Sequence, residues 1–330
     1  MAETIERVTI GSRGSELALW QAGWVQKALQ QRFSHLDIPI QIIKTKGDKV
    51  LDSPLSKIGD KGLFTREIEL ALLSGDIDIA VHSLKDLPTE LPRGLTIGAT
   101  CEREDVRDVF IPHPKNPIRT LLDQPKGSRI ATGSLRRKCQ LLHVRSDFQI
   151  IDIRGNLTTR LKKLEESDWA GMMLARAGVV RLGWEDRVGE TLDSEKILPA
   201  VGQGALGIEI REEDKRVADI VAALHHTPTA QAALAERAML RALEGGCQIP
   251  IGAYARIETG RYGERTLKMD GVVGSLDGKS VIRGKIQGMP ENAEAMGTQL
   301  AETLLHSGAD RILRDIRAVD TKQTVSDIES

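Results

Sequence analysis

Arg129-Ile-Ala-Thr-Gly-Ser-Leu-Arg-Arg-Lys-Cys-Gln-Leu-Leu-His-Val-Arg145 holds the signals that decide the fold. Residues 129–132 read as a short buried strand, Gly133-Ser134 breaks it, and apolar residues at helical spacing then predict a helix over 134–145. Strand, tight turn and helix in that order form the repeating unit of an α/β layer. The unit recurs downstream, with a strand predicted over 149–153, a helix over 156–166 and a strand over 169–174.

The same alternation extends toward the N-terminus. Val8-Thr9-Ile10 reads as a strand, and Leu17, Trp20, Trp24, Ala28 and Leu29 carry helical spacing through a helix over 15–33. Ile38, Ile40 and Ile42 alternate as a strand. Thr65 stands where a helix would begin and Gly75 where it would stop. A buried strand over 76–83 then runs into Leu84-Lys-Asp-Leu-Pro88. Between Lys44 and Phe64 periodicity fades, and three glycines and five lysines suggest a functional lid rather than a plain link.

Pro112, Pro114, Pro117 and Pro125 separate two strand-rich regions, and Leu198-Pro-Ala-Val-Gly-Gln-Gly-Ala-Leu-Gly207 is rich enough in glycine for a hinge or a ligand wall. Beyond a helix ending near Leu224, an Ala/Leu-rich helix over 228–243 stops at Gly245-Gly246. Two strands flank the Asp277-Gly278 turn, and an amphipathic helix over 291–306 follows, which together predict a small α+β domain. The polar residues 319–330 are expected to be a flexible tail.

At 330 residues the chain is too long for one hydrophobic core, so two or three domains are expected. Lys+Arg at 46 against Asp+Glu at 47 produce no global field for nucleic acid or an anionic membrane. With 3% aromatic residues, base-stacking platforms are not expected. The N-terminus has neither the basic start nor the apolar stretch of a signal peptide, and no membrane-spanning run is visible. Cys101, Cys139 and Cys247 form no CxxC pair, which suits a reducing cytosol. No histidine stands at zinc-ligand spacing from a cysteine, and no metal site is read.

Three turns carry arginine into the first turn of a helix: Gly11-Ser-Arg-Gly-Ser15, Thr132-Gly-Ser-Leu-Arg-Arg137 and Arg154-Gly-Asn-Leu-Thr-Thr-Arg160. A helix N-terminus is partially positive, so arginine there is unfavourable unless an anion joins it. Any one such turn reads as solvated arginine. Three at successive strand ends, where open α/β sheets bind ligands, point to a polyanionic small molecule. None is GxGxxG or GxxxxGK[ST], which excludes the usual nucleotide motifs. Guanidinium groups suit carboxylates as well as phosphates. Taken alone, Asp86 reads as a turn residue before Pro88, and Cys247 as a loop cysteine.

Glu236-Arg-Ala-Met-Leu-Arg-Ala-Leu-Glu-Gly-Gly-Cys247-Gln-Ile-Pro-Ile-Gly252 resembles the cofactor-attachment signature of the porphobilinogen deaminase (hydroxymethylbilane synthase) family. Asp78-Ile-Ala-Val-His-Ser-Leu-Lys-Asp-Leu-Pro88 resembles that family's catalytic segment. The segments at Arg13, Lys57–Phe64, Ser134–Arg137, Arg154–Arg160 and Leu198–Gly204 match in the same order, so the resemblance spans nearly the whole chain. Gly133 departs from it, since the family commonly carries serine there.

The resemblance implies an α/β fold of two type 2 periplasmic-binding-protein-like domains plus a small α+β C-terminal domain. Domain 1 would join 5–104 with 203–224, domain 2 would span 110–198, and domain 3 would span 227–318 and present the cysteine. It implies a transferase of heme and other tetrapyrrole biosynthesis. The enzyme would condense four porphobilinogen molecules, with loss of ammonia, onto a dipyrromethane cofactor held by a thioether to Cys247, and release hydroxymethylbilane by hydrolysis. Asp86 would be catalytic. Lys85, Ser83, Thr132, Ser134, Arg136, Arg137, Arg154, Arg160 and Gln203 would hold the cofactor. Arg13, Ser15, Arg154 and Arg181 would meet the substrate, and Lys57, Lys61 and Phe64 would belong to the lid. The chain would be a cytoplasmic monomer without nucleic-acid or membrane partners, in transient contact with the downstream cyclising synthase. The rival reading, a non-enzymatic anion-binding module, accounts for the arginines but not for the cysteine signature.

Overall fold

The computed structural model describes residues 6–49, 65–243 and 249–318. The architecture is mixed α/β; the described residues form two five-stranded sheets, a three-stranded antiparallel sheet and one two-stranded pair. The first sheet has the order β4 (Ile40–Ile42), β2 (Ile10–Ser12), β5 (Ile79–Ser83), β12 (Leu206–Arg211), β6 (Leu95–Thr100). β2 runs parallel to β4 and β5, whereas β12 lies antiparallel between β5 and β6. A strand from beyond residue 200 thus completes a sheet begun at residue 10. The helix Glu16–Arg32 covers one face through Ala22, Val25 and Leu29, which pack with Val8, Ile79, Ile208 and Val221.

Several elements are shorter than their apolar patterns predict. The first strand begins at Ile10, because Glu6–Arg7 (β1) pairs separately with Leu36–Asp37 (β3). Pro39, which has no N–H for a ladder, lies at the interruption. β5 begins at Ile79, since Asp76 and Ile77 donate their N–H groups to Ala71 O and so close the preceding helix, Arg66–Ser74. Gly75, at φ +80°, makes that left-handed stop.

The second sheet has the order β11 (Glu190–Thr191), β7 (Asp108–Pro112), β10 (Gly171–Ala175), β8 (Arg129–Ala131), β9 (Gln149–Ile151). Its helices begin on side-chain caps: Ser134 Oγ accepts from Arg137 N, and Asn156 Oδ1 accepts from Thr159 N at 2.8 Å. Residues 101–107 and 192–205 connect the two sheets, and they press together: a Cβ on Gly204 would fall 2.4 Å from Glu104 O.

The third unit has three strands, not the two expected: β13 (Ile251–Thr259), β14 (Arg265–Gly274) and β15 (Val281–Gly288). Ala253 and Ala255 of β13 face the core beside Met239 and Leu300, so small residues there hide the alternation of a strand. The helices Thr227–Ala242 and Ala293–Leu304 cover the sheet, and Gly308 at φ +106° kinks the continuation into a helical stretch over 310–318 that the sequence reading omitted. Among the described residues no helix is long and apolar enough to cross a membrane.

Candidate active site

β5 delivers the polar segment to its end. Ser83 Oγ accepts a 2.7 Å hydrogen bond from Gln21 Nε2, and Leu84–Asp86 forms one 3-10 turn held by Leu84 N to Ala205 O at 3.0 Å. Leu84 and Leu87 point inward with Ala205 and Ala233. That leaves Asp86 exposed and Lys85 half-buried. Burial, the largest cause, pushes the Lys85 ammonium down to about 8; Asp86 opposes this, while Arg137 and Arg136 add to it.

The second sheet brings its arginines to the same place. Burial and then Arg137 lower Arg160 to about 10, with Asp86 pulling it back up. Asp86, on the first sheet's turn, therefore stands within electrostatic reach of Arg160, on the helix Leu157–Glu165. Arg160 Nε is itself held by Gly155 O at 2.8 Å. Arg154 has a buried Nη1 without a hydrogen-bond partner among the described residues.

Arg136 and Arg137, expected to hold the cofactor, also bind a carboxylate of the protein itself. Both side chains are buried and share Asp108, a residue the sequence reading did not single out. Arg136 Nη1 donates to Asp108 Oδ2 at 2.8 Å and to Leu198 O at 2.6 Å; Arg137 Nη2 donates to Asp108 Oδ1 at 2.9 Å. Gln203 Nε2 adds a third donor to Asp108 at 2.8 Å. Burial alone would raise the Asp108 pKa, but the two guanidinium groups outweigh it and hold the carboxyl far below the usual range. One signal pointed there: Asp108 is a lone carboxylate opening the otherwise apolar strand Val109-Phe-Ile-Pro112. The Nε atoms of both arginines remain buried without partners.

Of the other predicted positions, Thr132 is buried, with Oγ1 accepting from Ser134 N at 3.2 Å. Ser15 caps the helix Glu16–Arg32, and Arg13 stands half-buried at the end of β2. Arg181 also braces the connection between sheets: its Nη2 donates to Gly204 O at 2.7 Å, and its guanidinium lies 5.8 Å from the Trp20 ring. Gln203 likewise bonds Val106 O and Asp108, while its Oε1 is buried and unpartnered. At Gly133 a Cβ would fall 2.6 Å from Ile153 O, so the backbone approach leaves no room for a side chain. Cys247, Lys57, Lys61 and Phe64 lie outside the described residues. Cys101 and Cys139 are buried, and burial pushes both thiols up to about 12.

The third unit is fastened to both connections. Arg103 Nη1 and Nη2 grip the buried Glu236 carboxylate at 2.7 and 3.0 Å, and Arg103 Nε donates to Gln203 O at 2.7 Å. Glu236 also accepts from Gly202 N at 2.7 Å and from Ala255 N at 2.8 Å. Glu236 was quoted only as part of a signature; the structure makes it a junction.

Two α/β lobes with arginine turns at neighbouring strand ends, and a third unit tied to their crossings, define the class: a bilobal α/β protein for an anionic small ligand. The chain belongs to the porphobilinogen deaminase family. Residues 8–219 match the family model described as porphobilinogen deaminase, dipyromethane cofactor binding domain, and residues 230–306 match its C-terminal domain. It is 53% identical to the porphobilinogen deaminase of Carboxydothermus hydrogenoformans over 312 residues, 94% of this chain and 98% of that one. It is 52% identical to that of Desulfitobacterium hafniense over 310 residues, 94% and 97% of the two chains. Among solved structures it aligns with the periplasmic VFT2 domain of Bordetella pertussis BvgS, at 13% identity and a TM-score of 0.40, over 66% of this chain and 86% of that one. It also aligns with the periplasmic aliphatic sulphonate binding protein SsuA of Escherichia coli, at 15% identity and a TM-score of 0.39, over 72% and 71%.

Proposed function

We propose that this chain condenses four porphobilinogen molecules, releasing ammonia each time, onto a dipyrromethane joined through a thioether to Cys247, and frees hydroxymethylbilane by hydrolysis. The observation that carries the reading is Asp86, exposed at the end of its turn, with Lys85 and Arg160 in electrostatic reach. The buried, unpartnered nitrogens of Arg136, Arg137 and Arg154 fit a ligand rich in carboxylates. When bound, the dipyrromethane supplies the carbon nucleophile to which the first new pyrrole is joined.

The chain's own residues supply the rest. The Asp86 side chain stabilises the cationic pyrrole left when porphobilinogen loses its amine, accepts from pyrrole N–H groups, and shuttles the proton that the coupled ring carbon gives up. Lys85, Ser83, Thr132, Ser134, Arg136, Arg137, Arg154, Arg160 and Gln203 form the cofactor wall. Arg13, Ser15, Arg154 and Arg181 orient the incoming substrate, and Lys57, Lys61 and Phe64 cover the cleft. Domain 1 comprises 5–104 with 203–224, domain 2 comprises 110–198 and domain 3 comprises 227–318; the seat of β12 between β5 and β6 supports this division. The enzyme works as a cytoplasmic monomer that hands its product to a cyclising synthase through transient contact.

Asp86→Asn keeps size and turn propensity but removes charge and proton exchange. Turnover of porphobilinogen by this variant is expected to nearly vanish, with measurable activity retained in Asp86→Glu. Turnover near wild type in Asp86→Asn overturns the catalytic assignment.

A further inference from the structure

Arg237 is a buried guanidinium that the proposed chemistry leaves unused. It sits on the helix Thr227–Ala242 one residue after Glu236, and only 9% of it is exposed. No carboxylate lies within ion-pair distance of it among the described residues. Its charge is spent on two backbone carbonyls instead: Nη1 donates to Leu87 O at 3.3 Å and Nη2 to Pro88 O at 2.5 Å. Those are the two residues that follow Asp86.

A buried charge without a counter-ion is unfavourable, so what it holds is its two carbonyl partners. Burial lowers Arg237 to about 10, with Arg241 adding and Glu209 opposing, so the group stays cationic at neutral pH. The turn it grips has few other restraints. Leu87 N to Leu84 O, at 3.2 Å, closes it, Leu84 N to Ala205 O ties it down, and Ala233, one helical turn before Arg237, packs against Leu84 and Leu87. Neighbouring residues of one helix therefore hold two things at once: Glu236 the crossings through Arg103 and Gly202, and Arg237 the turn that carries Asp86.

We infer that Arg237 is a positioning residue for Asp86, fixing the catalytic turn from the third unit by holding the carbonyls of Leu87 and Pro88. The inference rests on the catalytic reading of Asp86. The helix that carries Arg237 ends at Ala242, five residues before Cys247 in the sequence.

The test uses the full-length holoprotein with Arg237→Met and Arg237→Lys. In Arg237→Met, dipyrromethane content by intact mass stays at the wild-type level, KM stays within twofold and kcat falls at least tenfold. Amide exchange at Leu84 and Leu87 speeds up at least tenfold, while exchange in β12 is unchanged. Arg237→Lys, which keeps the charge on one donor nitrogen without the fork, recovers part of kcat. A merely structural role gives wild-type kcat per folded molecule, whatever the melting temperature, and overturns the inference. So does wild-type protection of Leu84 and Leu87 in Arg237→Met. If Arg237→Met fails to fold, Arg237→Lys decides: kcat reduced severalfold with full cofactor content supports the inference, and wild-type kcat overturns it. If the wild-type chain itself neither carries the adduct nor turns over porphobilinogen, the functional reading fails, and the amide exchange still decides whether Arg237 fixes the turn.

Discussion

Asp108 accepts a 2.8 Å hydrogen bond from Arg136 Nη1 where neither side chain meets bulk solvent. Truncating one partner of such a pair strands the other charge, which typically costs about 3–5 kcal/mol. Asp108→Ala is therefore expected to lower the melting temperature sharply in calorimetry, because Arg137 and Gln203 also lose their acceptor. Adding Arg136→Met to Asp108→Ala should recover part of that loss. The Asp108 pKa is depressed in the fold, so its contribution to stability is present above the unfolded carboxylate value near 4 and is lost as pH falls toward the folded value. Neutral-to-acid titration should show this contribution disappearing only below about pH 4 in the wild type, and missing throughout in Asp108→Asn.

The arginines divide into two kinds, and their variants should too. Arg136 and Arg137 are locked to Asp108, so Arg→Leu at either position is expected to cost both stability and cofactor assembly. Arg154, with its buried Nη1 unpartnered, should lose cofactor assembly or chain elongation in Arg154→Leu while its circular dichroism stays that of the wild type. Arg154→Lys keeps charge without the fork and is expected to be nearly as impaired. Near-normal activity in the Arg154 and Arg160 variants would mark these side chains as a solvated face.

Lys85 gives the site a pH dependence near neutrality. With its ammonium lowered to about 8, the apo-protein should take up cofactor well below that pH and progressively less well above it, as the cation is lost. The stability sign is opposite: a depressed lysine pKa disfavours the fold while the group is charged, so stability of the apo-protein should rise between pH 8 and about 10. Lys85→Arg should move the alkaline limb of cofactor uptake above pH 10, and a limb that stays near 8 in that variant would assign it to another group.

Local chemistry made much of the fold readable. Thr65 does stand just before the helix Arg66–Ser74, although its side chain makes no capping hydrogen bond. Gly75 announces a stop for an equally local reason. The arginine turns were legible as strand-to-helix turns, and they follow the strands Ile10–Ser12, Arg129–Ala131 and Gln149–Ile151. What stayed hidden depends on distant partners. Asp108 meets Arg136 and Gln203 from far along the chain, and Arg103 meets Glu236 across 133 positions. β13 was missed because Ala253 and Ala255 show no large apolar residues, although they face the core. The ends of β2 and β5 were misplaced because apolar pattern alone does not reveal where Pro39 interrupts a ladder or where a helix cap takes the next amides.

The central claim, that this chain builds a linear tetrapyrrole on a cofactor fixed to Cys247, is tested most directly by the intact mass of the purified protein. The account predicts that the wild-type chain carries an adduct of two pyrrole units, that limited porphobilinogen adds further single-pyrrole increments, and that folded Cys247→Ser carries none. Bare polypeptide in the wild type, or an adduct mapped to Cys101 or Cys139, would contradict it.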